Sequence, residues 1–145
     1  MVTIRRAVAD DLEFVKDCGR EFSQAVGMPW AWNEDYARRT LIPDLIENHL
    51  ALIAEDDGHQ VGVISGFDTV HPFNPEVTLL AEVVWWVMPE GRAKSAGKKL
   101  LDEFIAIGKE FDIITMSTLN NPVHDRMLER IGFVKSESGF VMVNT

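Results

Sequence analysis

The sequence predicts the α/β (α+β) class, with a mixed, mostly antiparallel central sheet flanked by helices. Leu79 to Met88 is a nearly unbroken apolar run rich in Val and Trp, as in a strand covered on both faces. After Pro89, residues Gly97, Leu100, Leu101, Phe104, Ile105, Gly108 and Phe111 recur on one side of a helix. The element order is strand, helices, a three-strand meander, helix, strand, helix and strands. It suits an antiparallel middle and a parallel crossover at the end.

Taken in order, Val2 to Ala7 reads as a strand, and A-D-D offers an aspartate as a helix cap. Leu12, Val15, Cys18, Phe22 and Val26 form the buried stripe of a first helix that Gly27 ends. M-P-W-A-W-N follows, and Trp30 and Trp32 either wall a substrate pocket or plug the edge of the core. Asn33 to Leu50 is helical, with Pro43 splitting or kinking it. Ala51–Ala54 and Gln60–Phe67 are the arms of a hairpin. D-T-V-H-P-F-N-P-E reads as a loop stiffened by prolines that presents His71 and Phe73, either to a substrate or merely to solvent.

Asp112 to Thr118 is a further strand, and the chain then turns through L-N-N-P. Val123, Met127, Leu128 and Ile131 mark a last helix closed by Gly132. Phe133–Lys135 and Phe140–Val143 finish as a strand pair. With no repeat, linker or low-complexity run, residues 1–145 are expected to form a single domain.

At 145 residues, 46% hydrophobic and 26% charged, the composition is that of an ordinary globular chain. A net charge of −9 argues against a nucleic-acid or anionic-membrane partner and favours a cationic substrate such as an amine; solubility alone would account for it equally. Cys18 is the only cysteine, so no intrachain disulfide forms and a cytoplasmic location fits. The N-terminus lacks the apolar core of a signal peptide, and no run approaches the ~20 apolar residues of a membrane span. A lone histidine such as His49, without a partner at ligand spacing, makes no case for a metal.

The organising stretch is W-V-M-P-E-G-R-A-K-S-A-G-K-K-L-L. Arg92, Lys94, Lys98 and Lys99 stand among Ala93, Ser95, Ala96 and Gly97, just ahead of the helix. Small residues let a ligand reach the backbone, and first-turn amides and the macrodipole attract an anion, so this is a seat for a phosphate or diphosphate. A Walker A loop is excluded because Gly91 to Gly97 is one residue too long and Lys99 follows Lys98 where Ser or Thr is needed. The dinucleotide G-x-G-x-x-G is absent as well.

What remains is R-x-x-S-x-G, which resembles the acetyl-CoA-binding segment of the GNAT superfamily of N-acetyltransferases, [QR]-x-x-G-x-[GA]. Arg92 and Gly97 match, and Ser95 replaces the usual glycine. N-N-P-V-H-D-R-M-L-E-R-I-G-F is similar to that family's ending, with Asn121, Met127, Glu129, Arg130, Gly132 and Phe133 in register. The W-W-V-x-P-E-x-R form is closest to small phage-type members.

The resemblance implies a GNAT-like sheet from about Val2 to Val143 and acetyl-CoA as acyl donor. It implies a coenzyme site made of Trp86, Val87, Met88, Arg92, Ala93, Lys94, Ser95, Ala96, Gly97, Lys98 and Asn121. A carboxylate inside L-L-A-E-V-V is costly to desolvate, so the Glu82 pKa should rise toward neutrality. Strand alternation puts Glu82 with Val84, Trp86 and Met88. By resemblance Glu82 is the general base; the structural alternative is a carboxylate paired with an arginine.

The implied reaction is direct attack of a primary amine on the thioester, with the Val87 or Met88 N–H meeting the carbonyl oxygen. Leu128 stands where many members carry the tyrosine that protonates the thiolate. His71, His124, Ser117 or water is left for that role. The expected partners are a small-molecule or peptide amine and, as an open option, a second copy of the chain. The reading that competes with an enzyme is a non-catalytic module of the same fold that binds CoA or a protein.

Overall fold

In a computed structural model the chain builds one five-stranded sheet in the order β1-β2-β3-β4-β5. The structure describes residues 1–119 and 121–144, and of Ala93 the backbone alone. β1 (Val2–Arg6), β2 (Leu50–Asp56), β3 (His59–His71) and β4 (Asn74–Val87) are antiparallel neighbours. β5 (Ile113–Thr115) joins β4 in parallel through the crossover helix α4 (Ala96–Gly108). The mixed sheet is therefore as expected.

The two faces of the sheet carry separate cores. On one, α4 sets Leu100, Leu101 and Phe104 against Leu52, Ile64 and Leu80. On the other, α1 (Leu12–Ala25) and α3 (Ile42–Asn48) set Val15, Cys18, Ile42 and Leu45 against Ile53 and Val63. Cys18 is fully buried there and its thiol pKa is pushed up, mainly by desolvation, so it packs rather than reacts. α2 (Glu34–Tyr36) passes through a π turn (Ala37–Leu41) into α3, with Pro43 in the first turn of α3, where a missing N–H does no harm.

Asp11 stands at the N-cap of α1, but its side chain makes no cap bond to that helix. Its buried carboxylate accepts from Arg5 Nη1 at 2.7 Å and Nη2 at 2.8 Å, from the Val8 N–H at 2.7 Å and from Gln60 Nε2 at 2.5 Å. The Arg5 guanidinium holds its pKa down at about 2, and the cluster ties β1 and β3 to the start of α1.

Two segments depart from the sequence reading. The expected loop over 68–76 is strand: β3 runs to His71 and β4 starts at Asn74, with Asp68↔Leu80 and Thr69↔Leu79 in register. Asp68, Thr69 and Val70 are all exposed, so no apolar alternation marked the extension. The expected closing strand pair is not formed. Residues 133–144 are without regular structure, and Phe140 and Met142 are 95% and 86% exposed. An isolated two-stranded ribbon is marginal without a sheet to lie on, and the register of the sheet ends at β5. The Asp112–Thr118 strand likewise shortens to Ile113–Thr115.

Candidate functional site

The site begins with a fault in β4. Gly66 pairs with Glu82 and Ser65 with Val84, so Val83 is a surplus residue, a bulge. Regular spacing from Leu80 puts Glu82 on the α4 face, where a Cβ on Gly66 would meet Leu80 and Phe104 at 3.0 Å. Beyond the bulge, Val84, Trp86 and Met88 face α1 and α3, while Trp85 and Val87 face α4. The single face expected for Glu82, Val84, Trp86 and Met88 is corrected by that one residue.

β5 pairs with β4 only from Leu79 to Ala81. From Glu82 to Val87 the edge of β4 is open. The Met88 N–H is committed to Val61 O at 2.7 Å, which removes Met88 as a donor to a ligand. Strand alternation turns the N–H and C=O of Val87 the opposite way, toward the open edge, and Arg92 Nε donates to Val87 O at 2.9 Å.

Glu82 lies where the strands part. Desolvation raises its pKa to about 7, opposed by a hydrogen bond it accepts from the Ser117 backbone N–H. No arginine partner is recorded for it among the described residues, so the ion-pair alternative finds no support there. A half-buried carboxylate that titrates near neutrality can take up a proton at working pH.

A 310 turn (Pro89–Lys94) leads from β4 to α4, and Ser95 between them is left-handed at φ 64°. That conformation is the physical reason a glycine suits this position. The Lys99 N–H reaches Ser95 O at 3.0 Å, so the amides of the preceding turn, Ala96 to Lys98, lie ahead of the helix's own hydrogen bonding. A Cβ built on Gly97 meets nothing closer than Val87 at 3.5 Å, and Trp85 follows at 3.9 Å. The first turn of α4 therefore packs on Val87 and Trp85 at the end of the open edge of β4; its unbonded amides and that edge together fit a diphosphate with an extended amide-bearing arm.

The basic side chains are held by the protein. Lys94 pairs with Asp56, Lys98 with Asp102 at 2.7 Å, and Lys99 donates to Val2 O at 3.1 Å. Arg92 lies over the Trp86 ring. The side chain of Ala93 lies outside the described residues, as does Asn120 of the turn before α5. Asn121 caps α5 (Pro122–Arg130), its Oδ1 accepting from the N–H groups of Val123 at 3.1 Å and His124 at 3.3 Å, so its side chain has a structural task.

His71 and Phe73 sit at the far tip of the β3–β4 hairpin. There His71 Nδ1 accepts from the Phe73 N–H at 3.1 Å, and the Phe73 ring is 92% exposed. Asn74 to Glu82 is about 25 Å of strand, so the fold does not bring either residue to Glu82. Trp30 and Trp32, by contrast, come together on the α1 side around a cavity of about 310 Å³.

Two residues near the site, Trp85 and Ser65, escaped the sequence reading, and Ser117 was named for its hydroxyl alone. Trp85 lies between the α4 turn and His124, whose ring centroid is 6.2 Å away. Ser117 contributes a backbone N–H, which no residue type announces. Ser65 is a buried hydroxyl in an otherwise apolar strand; a lone polar residue in V-G-V-I-S-G-F was the available signal. Leu128 packs into the α4 core, and Tyr36, the only tyrosine, lines the cavity on the opposite face.

The model of the Acetyltransferase (GNAT) family matches residues 14–133. Among solved structures, a ribosomal-protein-alanine N-acetyltransferase from Brucella melitensis biovar Abortus 2308 is 21% identical, with all of both chains covered and a TM-score of 0.72. A GCN5-related N-acetyltransferase from Ralstonia eutropha JMP134 is 16% identical over 99% of each chain, with a TM-score of 0.78. AAC(6')-Iy, solved in complex with a CoA bisubstrate analogue, is 16% identical over 100% of this chain and 99% of its own, at 0.72. At such identities the likeness is one of fold. No curated protein sequence matches the chain. Among the described residues no helix is long and apolar enough to cross a membrane.

Proposed function

The chain belongs to the GNAT family of acetyltransferases, and from that premise we propose that it transfers the acetyl group of acetyl-CoA to a primary amine by direct attack. The observation that carries the reading is the open edge of β4 from Glu82 to Val87, which starts at a carboxylate of pKa about 7 and ends beside the first turn of α4. The amides of Ala96, Gly97 and Lys98 would hold the diphosphate, with Arg92 lending positive charge and Lys94 available only by leaving Asp56, and the edge of β4 would hold the pantetheine arm.

Bound acetyl-CoA supplies an acyl carbon open to attack and a thiol as leaving group. Glu82 takes the proton that the amine nitrogen gives up as the N–C bond forms and the C–S bond breaks. The Val87 N–H is the donor turned toward the open edge for the carbonyl oxygen, and since about 16 Å of strand separates it from Glu82 the amine's proton passes to that carboxylate through water; one donor of this kind is typically worth ~3 kcal/mol. Leu128 offers no proton, so the thiolate takes one from water or from Ser117 or His124, which lie on this side of the sheet. A free thiol has a pKa not far above neutrality, so the departure needs little help.

The buried Leu128 and the left-handed Ser95 favour a second reading, a non-catalytic module that binds CoA. Calorimetry with acetyl-CoA and acetylation of an amine panel separate the two. Binding with acetyl transfer is expected. Binding without transfer to any amine selects the second reading, and no binding removes both.

A further inference from the structure

When an acyl group leaves a thioester, the electron pair of the C–S bond stays on sulfur and a proton must reach it. Among the described residues, few side chains can deliver one to the open edge of β4. Tyr36 and Cys18 lie on the opposite face of the sheet, and Lys94, Lys98 and Lys99 are engaged with Asp56, Asp102 and Val2 O. Asp125 accepts from the Thr118 hydroxyl, which above all keeps its carboxyl below the ordinary range. Of the four histidines, His49 lies against Phe67, His59 opens β3 and His71 is at the hairpin tip. His124 alone stands beside the edge.

The bulge makes Trp85 the next residue after Glu82 to face α4, so its indole lies midway along the open stretch from Glu82 to Val87. It approaches the first turn of α4, 3.9 Å from a Cβ built on Gly97. The His124 imidazole is 6.2 Å from it, centroid to centroid, and tilted by 37°. His124 precedes the buried Leu128 by one helical turn, so it is on the face of α5 that turns toward the sheet. Its backbone is fixed on both sides, by the Asn121 cap and by the bond from Thr118 to Asp125. The side chain itself is exposed, so solvent can return a proton to it.

We propose that His124 is the acid of the reaction. As an imidazolium it gives a ring N–H proton to the sulfur while the C–S bond breaks, is left neutral, and is recharged from solvent. The proton that the amine loses goes to Glu82, so one proton leaves nitrogen and one arrives at sulfur. Trp85 is a positioning residue, whose indole keeps the imidazole at the edge of β4. This rests on the acetyl-transfer reading above and fixes one step of it. Ser117, whose backbone N–H is turned to Glu82, and water are the donors it replaces.

The test uses CoA itself as a probe, with no acceptor present. The ultraviolet absorbance of its thiolate, read in the complex at neutral pH, should fall about three- to tenfold in His124→Gln, because a cation beside the sulfur favours its charged form. CoA affinity by calorimetry should change less than about threefold. In acetylation, His124→Ala should lower kcat about tenfold with KM for the amine unchanged, less than most general acids contribute because a thiol leaves readily. Added imidazole should restore much of that loss, which it could not do for a misfolded variant.

Equal thiolate absorbance in parent and His124→Gln, or a loss of kcat that imidazole leaves untouched, overturns the proposal. If the thiolate of bound CoA depends on His124 and no amine is acetylated, the place of His124 at the sulfur stands and acetyl transfer falls. If parent and variants acetylate amines alike, acetyl transfer stands and the His124 assignment falls. A protein that binds no CoA removes both.

Discussion

The Arg92 guanidinium lies 4.9 Å from the centroid of the Trp86 ring while its Nε donates to Val87 O at 2.9 Å. On the α1 side the same ring meets Phe22 edge-on, 6.3 Å between centroids. One side chain thus fastens the end of β4, stands in the turn ahead of α4 and touches, through Trp86, the Phe22 wall of the cavity of about 310 Å³. Cation–π contact of this kind is modest in energy and directional in effect.

Arg92→Ala should therefore weaken CoA binding about tenfold, read by calorimetry. Arg92→Lys should restore only part of it, because an ammonium cannot both lie flat on the indole and reach the Val87 carbonyl. Equal affinity in all three proteins would separate Arg92 from the coenzyme.

Glu82→Gln should lower kcat by about 10²–10⁴ with CoA affinity little changed. In the parent protein kcat/KM should rise with pH and level off above about 7, where the carboxylate is charged. That limb should vanish in the variant.

The same carboxylate bears on stability. Its folded pKa is raised, so the unfolded chain gives up the proton first, and stability falls as pH climbs from about 4.5 to about 7. Above that range Glu82→Gln should be the more stable protein, by on the order of 2–3 kcal/mol. At pH 4 the two should melt together in a thermal scan.

Asp11 behaves in the opposite sense. Its folded pKa is held near 2, so its stabilisation is present above pH 4 and drains away as pH falls toward 2. Asp11→Ala leaves the Val8 N–H and Gln60 without their acceptor and Arg5 with Glu55 as its carboxylate, and should cost about 2 kcal/mol at pH 7 by urea denaturation. The acid-sensitive part of the parent's stability should disappear with it.

Ser95 stands in a left-handed conformation that L side chains resist. Ser95→Gly should raise stability by roughly 1 kcal/mol, a few degrees of melting temperature, and should not weaken CoA binding. A fall in melting temperature would mean that the hydroxyl has a task of its own.

The central strands and the two helical stripes were legible because burial and periodicity write them directly into residue types, and the tight turn ahead of α4 was legible in its small residues. The facing of Glu82 was not: alternation counts residues, and Val83 adds one that the composition of L-L-A-E-V-V-W-W does not mark. The hairpin out to His71 was missed because both of its faces are wet. The closing F-V-M-V has strand-like composition, but composition cannot say whether a neighbouring edge is there to receive it. The cavity was half legible, through two tryptophans in a connection; its floor depended on a pairing register that only the folded sheet reveals.

That single surplus valine also means that the slot along β4 depends on irregularity. A chain lacking Val83 would zip Glu82 and Val84 against Gly66 and Ser65 without a fault, lose the extra local twist, and allow β5 to run on past Ala81. The outcome would be a tidier, sturdier sheet whose seam had healed over, with Glu82 still in place and no open edge left for the coenzyme proposed to lie there.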